Sequence, residues 1–245
     1  MTTFFWINLS TVLVSALSLI GIFILLLKEN ILQKILFFLV VLSAGGLMGG
    51  AFLHLIPEAL EEVSGQRVFL YVLLGFFLFF IIEKTLHWRH CHKNKCPEHT
   101  FAYMNLVGDA VHNFIDGLII AASFVTNFSL GLVATLAIIL HEIPQEIGDF
   151  GVLIYGGFKK KKALYSNLLV ALTAVVGGIL GYFVSTRIEF FVSFLIPFAA
   201  GGFIYIAASD LIPEIRKEES FKKSLVAFLI FGVGILIMYL MRFIE

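Results

Sequence analysis

His112-Asn113-Phe114-Ile115-Asp116-Gly117 lies in the middle of an apolar run that extends from about residue 101 to 126. A second polar stretch, His141-Glu142-Ile143-Pro144-Gln145-Glu146-Ile147-Gly148-Asp149, sits the same way inside the next run, 130–156. Ionisable groups at bilayer depth are costly, so they face a protein interior and mark an ion or proton path. Both stretches are rich in metal-ligand atoms: imidazole nitrogen, carboxylate oxygen and amide oxygen. They predict two membrane-crossing helices with the rest of the chain as scaffold.

Composition agrees. Of 245 residues 60% are apolar and only 14% charged, with a mean hydropathy of +0.99, whereas about a quarter of the residues of a soluble domain are charged. The formal net charge of zero excludes the basic field that nucleic-acid binding needs. Runs of about 20 apolar residues cross the hydrocarbon core as helices. Eight occur, at roughly 4–27, 32–57, 67–86, 101–126, 130–156, 163–185, 190–212 and 222–243. The expectation is an all-α polytopic membrane protein, one transport domain over residues 1–245 with short connections. No GxxxxGK[ST] pattern is present, which argues against an ATPase. No basic region precedes the first run, and that run is too long for a signal core, so it reads as a retained span.

Lysine and arginine placement sets the orientation. The connections after runs 1, 3, 5 and 7 hold Lys28, Lys34, Lys84, Arg89, Lys93, Lys95, Lys159 to Lys162, Arg216, Lys217, Lys222 and Lys223. The opposite side holds only Arg67, Arg187 and Arg242. Both termini are therefore expected outside. An internal echo links run 2, Gly49-Gly50-Ala51-Phe52 continuing to His54-Leu55-Ile56-Pro57-Glu58, with run 7, Gly201-Gly202-Phe203 continuing to Asp210-Leu211-Ile212-Pro213-Glu214. Five crossings separate them, so they run in opposite directions. This predicts a 3+2+3 inverted repeat around a midplane site, a recurrent transporter architecture.

Residues four apart share a helix face. His112 and Asp116 are so spaced, as are His141 and Gln145, and Glu142 and Glu146. Two facing helices then offer one ion a nitrogen and an oxygen each, from His112, Asp116, His141 and Gln145. Asn113 and Glu142, at the edge of that face, serve a second ion or a proton. Pro144 cannot donate to the carbonyl of Leu140 and tends to kink its helix within the cluster. Gly108, Gly117, Gly148 and Gly151 allow close helix approach. Asp109, Glu146, Asp149, His54 and Asp210 are candidates for the path to and from the site, Asp109 being open to a relay or a packing role. His54 with Glu58, Glu61 and Glu62 reads either as an acidic mouth or as interfacial charge. Met48 reads as packing on spacing alone.

Other readings weigh less. Interhelical hydrogen bonding explains a lone polar group better than six on two adjacent crossings. His141-Glu142 begins like the HExxH of zinc proteases, but Gln145 stands where the second histidine is required. A metal sensor or metal-dependent intramembrane enzyme is the alternative, and no enzyme activity is expected. The connection over 87–99 holds His87, His90, Cys91, His92, Cys96 and His99. These suit transient metal capture on the cytoplasmic side, or a solvated loop; Cys91 and Cys96 allow at most one disulfide.

HNFIDG and HEIPQEIGD together resemble the signature motifs of the Zrt/Irt-like (ZIP) divalent-metal transporters, closest to the branch with HExPHExGD in its fifth span. The resemblance covers the whole chain. It implies uptake toward the cytoplasm, with zinc the common substrate and iron, manganese and cadmium frequent ones, and no cofactor. It matches His112, Asp116, His141 and Gln145 to a primary site, and Asn113, Glu142 and Asp116 to a neighbouring one. It also implies a ligand role for Met48, in Gly46-Leu47-Met48, and movement of spans 1, 4, 5 and 6 as a block against 2, 3, 7 and 8. Two departures stand out: neutral Gln145 replaces His or Glu, and Ala174 stands where some members carry a second-site glutamate. Partners are then the ion and the bilayer, with a homodimer left open and a bacterial plasma membrane expected from the compact loops.

Overall fold

A computed structural model describes residues 2–26, 28–90, 98–184 and 188–241. Every regular element among them is helical. Eight helices are long and apolar enough to cross a membrane: span 1 Thr3–Ile24, span 2 Lys34–Glu61, span 3 Gly65–Thr85, span 4 Thr100–Thr126, span 5 Phe128–Tyr155, span 6 Lys160–Phe183, span 7 Ser193–Ile215 and span 8 Phe221–Met241. At a rise of about 1.5 Å per residue, each bridges most or all of a hydrocarbon core of roughly 30 Å.

Spans 4 and 7 are more than half buried by the others, whereas spans 3 and 8 show most of their surface outward. Exposed Phe69, Leu73, Phe77 and Phe80 on span 3, and Phe228 and Leu229 on span 8, suit contact with lipid. Span 4 packs against spans 5 and 6, span 6 against span 1, span 3 against span 7, and span 8 against span 2.

Glycine decides how close these pairs come. A methyl group on Gly117 would lie 2.0 Å from the carbonyl oxygen of Ala174, and one on Gly177 2.1 Å from that of Phe114. Spans 4 and 6 therefore touch backbone to backbone, as small residues allow in lipid. The same device seals two other seams. Gly45 meets the Phe231 oxygen and Gly234 that of Leu42, joining spans 2 and 8; Gly201 meets the Val72 oxygen and Gly75 that of Phe198, joining spans 7 and 3.

Local irregularities recur at a fixed interval. Span 2 winds into a π turn at Gly50–Leu55 and span 7 into another at Ile206–Leu211, 156 residues later. Each precedes a proline, Pro57 or Pro213, whose missing N–H breaks the regular ladder. Span 1 tightens into a 3-10 turn from Leu17 and span 6 breaks at Leu172; there the Ser15 hydroxyl donates to the Ala171 carbonyl across 2.7 Å. The interval corrects one detail of the echo. It aligns Gly201-Gly202 with Gly45-Gly46, not with Gly49-Gly50, and places His54 opposite Asp210.

Pro144 does not break span 5. A single α-helix runs through it from Phe128 to Tyr155, and only the bond to the Leu140 carbonyl is forfeited.

Candidate metal centre

Spans 4 and 5 bring His112, Asp116, His141 and Glu142 together, each offering a ligand atom, all within 4.8 Å of one another. The His112 Nε2 lies 3.6 Å from Asp116 Oδ2 and 3.3 Å from Glu142 Oε1; the His141 Nε2 lies 3.5 Å and 4.0 Å from the same two oxygens. Ligands about 2.1 Å from a tetrahedral ion stand roughly 3.4 Å apart, close to three of these four spacings. Two carboxylates and two neutral imidazoles balance a divalent charge. The mixed nitrogen and oxygen set suits zinc and its neighbours better than calcium or magnesium.

All four residues are at most 4% exposed. Neither nitrogen of His112, neither side-chain oxygen of Glu142, nor Asp116 Oδ2 has a hydrogen-bond partner. A buried polar group left unmade costs about 1–3 kcal/mol, so a cluster this poor in bonds is costly as it stands. A cation would satisfy the His112 Nε2 and the carboxylate oxygens that face it together. The Phe203 ring of span 7 packs 5.1 Å from that of His112 and walls one side.

The centre is the floor of a cavity of about 300 Å³ lined by His54, Leu55, Glu58, Ile115, Asp116, Ile119, Leu130, Ala134, Ile138 and His141. His54 sits in the π turn of span 2, its ring 5.7 Å from that of His141 and its Nε2 4.0 Å from Glu58 Oε2. The mouth expected from His54 and Glu58 therefore borders a real space. Glu61 is exposed, and the Glu62 side chain lies outside what is described.

Toward the N-terminal end of span 4 the buried polar residues continue. Asn113 Nδ2 donates to Asp109 Oδ1 at 2.8 Å, and Gln145 Nε2 to the same oxygen at 3.4 Å. Asn167 of span 6 donates to Glu146, and the Ser43 hydroxyl of span 2 to Asp149 at 3.4 Å. Two gaps are small: one of about 10 Å³ at the histidine level is lined by His112, His141, Gln145 and Met238 among others, and one of about 20 Å³ by Ser43 and Gln145 among others. Either holds one water at most.

The sequence-stated sets are thus partly regrouped. Glu142 stands with His112, Asp116 and His141, where Gln145 was expected; Gln145 bonds Asp109 instead. Asn113 also turns to Asp109. Met48 is half-buried against the apolar core and lines neither gap that the histidines border; Met238 and Met241 of span 8 line one of them. Asp210 is apart from the centre, buried beside Glu83, which accepts from the Tyr205 hydroxyl. Cys91, His92 and Cys96 lie outside the described residues, as does the His90 side chain; exposed His99 stacks on Phe101 and donates its N–H to the Gly156 carbonyl at 2.8 Å. Ala174 is buried, and its carbonyl forms the seam against Gly117. Asn167, Asn105 and Ser43 escaped the sequence reading: single small polar residues near the ends of apolar runs look like ordinary capping groups.

The ZIP zinc transporter family model matches residues 4–100 and 90–242. The chain belongs to this ZIP family. It is 34% identical over 215 residues to zinc transporter ZIP13 of Pongo abelii, covering 81% of this chain and 64% of that protein. It is 31% identical over 278 residues to zinc transporter zipt-7.1 of Caenorhabditis briggsae (84% and 71%), and 30% over 285 residues to the ZIP13 homolog of Drosophila melanogaster (88% and 80%). The chain thus spans roughly two thirds to four fifths of these ZIP relatives. A ZIP protein is a transporter, and the family gives no support to the hydrolase or sensor reading.

Proposed function

We propose that the chain moves divalent transition-metal ions, zinc first among them, across its membrane into the cytoplasm without ATP. The observation that carries this is the buried cluster of His112, Asp116, His141 and Glu142, spaced for one tetrahedral ion at the floor of an open cavity. A resident structural ion would be walled off; this one is reached through a space bordered by His54 and Glu58. In this reading His54 meets the ion first and passes it to His141. The names of the animal relatives agree on zinc. The charge bias of the connections supports a cavity on the outer side, with both termini outside.

The recurrence of π turns, glycine seams and breaks at one interval supports an inverted 3+2+3 repeat. The seams also suggest which parts move together. Backbone-to-backbone glycine contacts join span 4 to 6, 2 to 8 and 3 to 7, whereas spans 4 and 5 meet spans 2 and 7 through side chains such as Phe203 on His112 and Leu39 on Gly151. A block of spans 1, 4, 5 and 6 sliding against spans 2, 3, 7 and 8 fits this division. The reading includes a homodimer, for which the outward faces of spans 3 and 8 are available, and a bacterial plasma membrane, which rests on the compact loops and has no support from the animal relatives. Purified protein in liposomes loaded with a zinc-sensing dye tests the function: saturable dye response without ATP is expected, and zinc binding with no influx contradicts it.

A further inference from the structure

Away from the metal centre, spans 4, 6 and 7 border a second space of about 290 Å³. It resembles the cavity above the histidines in size but not in lining. Ala110 and Phe114 of span 4, Thr173 and Val176 of span 6, and Leu195 and Phe198 of span 7 line it, among others, and none of its lining side chains is ionisable. The polar one among them is already engaged: the Thr173 hydroxyl lies between the carbonyls of Ala110 and Val170, at 2.8 and 2.7 Å. Val176 is half exposed, and Leu169, Leu172 and Leu180 on the same span are exposed beside it, so the groove meets the outward surface of span 6. Phe114 and Thr173 lie near the midpoints of their spans, which sets this surface at hydrocarbon depth.

Water finds no polar partner in such a space, and apolar cavities stay dry and take apolar ligands. Left empty, the lining would forfeit its dispersion contacts on one side. At this depth the surrounding solvent is the bilayer interior, and what it has to offer is a hydrocarbon chain. We propose that the groove is a seat for one acyl chain of a membrane phospholipid, held between spans 4 and 6 on one side and span 7 on the other. The two walls are anchored separately. Phe114 and Thr173 belong to the seam of spans 4 and 6, through Gly177 against the Phe114 oxygen and the Thr173 bond to Ala110; Phe198 belongs to the seam of spans 3 and 7, its oxygen meeting Gly75. Among the described residues no backbone-to-backbone glycine contact joins span 7 to span 4 or 6. An acyl chain there fills the boundary without locking it, so chain length and unsaturation bear on how readily the boundary shifts. That the boundary slides rests on the function proposed above; the seat itself does not.

Tryptophan fluorescence in proteoliposomes containing phosphatidylcholine with brominated acyl chains tests it, in protein carrying Trp6→Phe and Trp88→Phe. Leu195→Trp places the reporter in the groove, and Leu73→Trp, on the exposed face of span 3, gives the reference. Emission from Leu195→Trp should fall linearly with the mole fraction of brominated lipid, as for one site exchanging with the bilayer. For Leu73→Trp the fall should be steeper and curved, because several chains lie within reach. Acrylamide, which stays in water, should quench neither. Phe198→Trp, aromatic for aromatic, should repeat the Leu195→Trp curve and serves where that variant folds poorly. Quenching by acrylamide would show water in the groove, and no quenching by bromine would show it closed by protein. A curve like that of Leu73→Trp would show ordinary boundary lipid; each of the three overturns the proposal. Zinc influx by the wild type is read separately: a single-site curve without influx upholds the seat and sinks the transport reading, and influx without that curve does the reverse.

Discussion

The histidine level of the buried column and the carboxyl–amide level next to it are equally withdrawn from solvent, yet they differ in donors and in what opens onto them. The first has two imidazoles and two carboxylates beneath a cavity of about 300 Å³. The second, Asp109 with Asn113 and Glu146 with Asn167, leaves over only oxygens without a hydrogen-bond partner. In the function proposed above, an ion arriving through the cavity meets the histidine level first.

Substitutions that erase one level should separate the two. The largest effect is expected from Asp116→Ala, which removes a carboxylate facing both histidines; zinc influx should fall by about 100-fold or more, read by the internal dye. Acidification comes next. Imidazole binds metal only when unprotonated, and its ordinary pKa is about 6.5, so influx should decline as the outer pH falls from 7.5 through about 6.5; flat or rising influx down to pH 5 would show that proton coupling outweighs ligand loss. Gln145→His sharpens the comparison from the other side. It places an imidazole in a gap that His112 and His141 already border and takes a donor from Asp109. Zinc should bind about tenfold more tightly in competition with a dye, and leave more slowly. The smallest effect is expected of Ala134→Trp, which fills the cavity above the centre: influx should slow several-fold while equilibrium zinc affinity barely moves.

Much of this was legible in the chain. Eight long apolar runs leave a membrane protein few alternatives to helices, and the described helices match the runs to within a few residues. His112, Asp116 and His141 met as expected, because four-residue spacing on two neighbouring helices fixes which side chains share a face. Glu142 lies with His112, Asp116 and His141 while Gln145 bonds Asp109, because only the rotation of span 5 against span 4 decides which of these two, about 60° apart around one helix, faces the histidines. Asn167 was beyond reach of any pattern: its partner Glu146 is on another span, and pairing across spans leaves no local spacing to read. The fixed interval between spans 2 and 7 was visible as a short echo, but its register needed the two π turns.

The measurement that bears most directly on the central claim is zinc flux through proteoliposomes for wild type beside His141→Ala, with zinc binding measured on the same preparations. Saturable flux in the wild type, with flux and tight binding both lost in the variant, is the predicted result. Undiminished flux in His141→Ala would contradict the claim that the ion crosses at the His112–Asp116–His141–Glu142 centre.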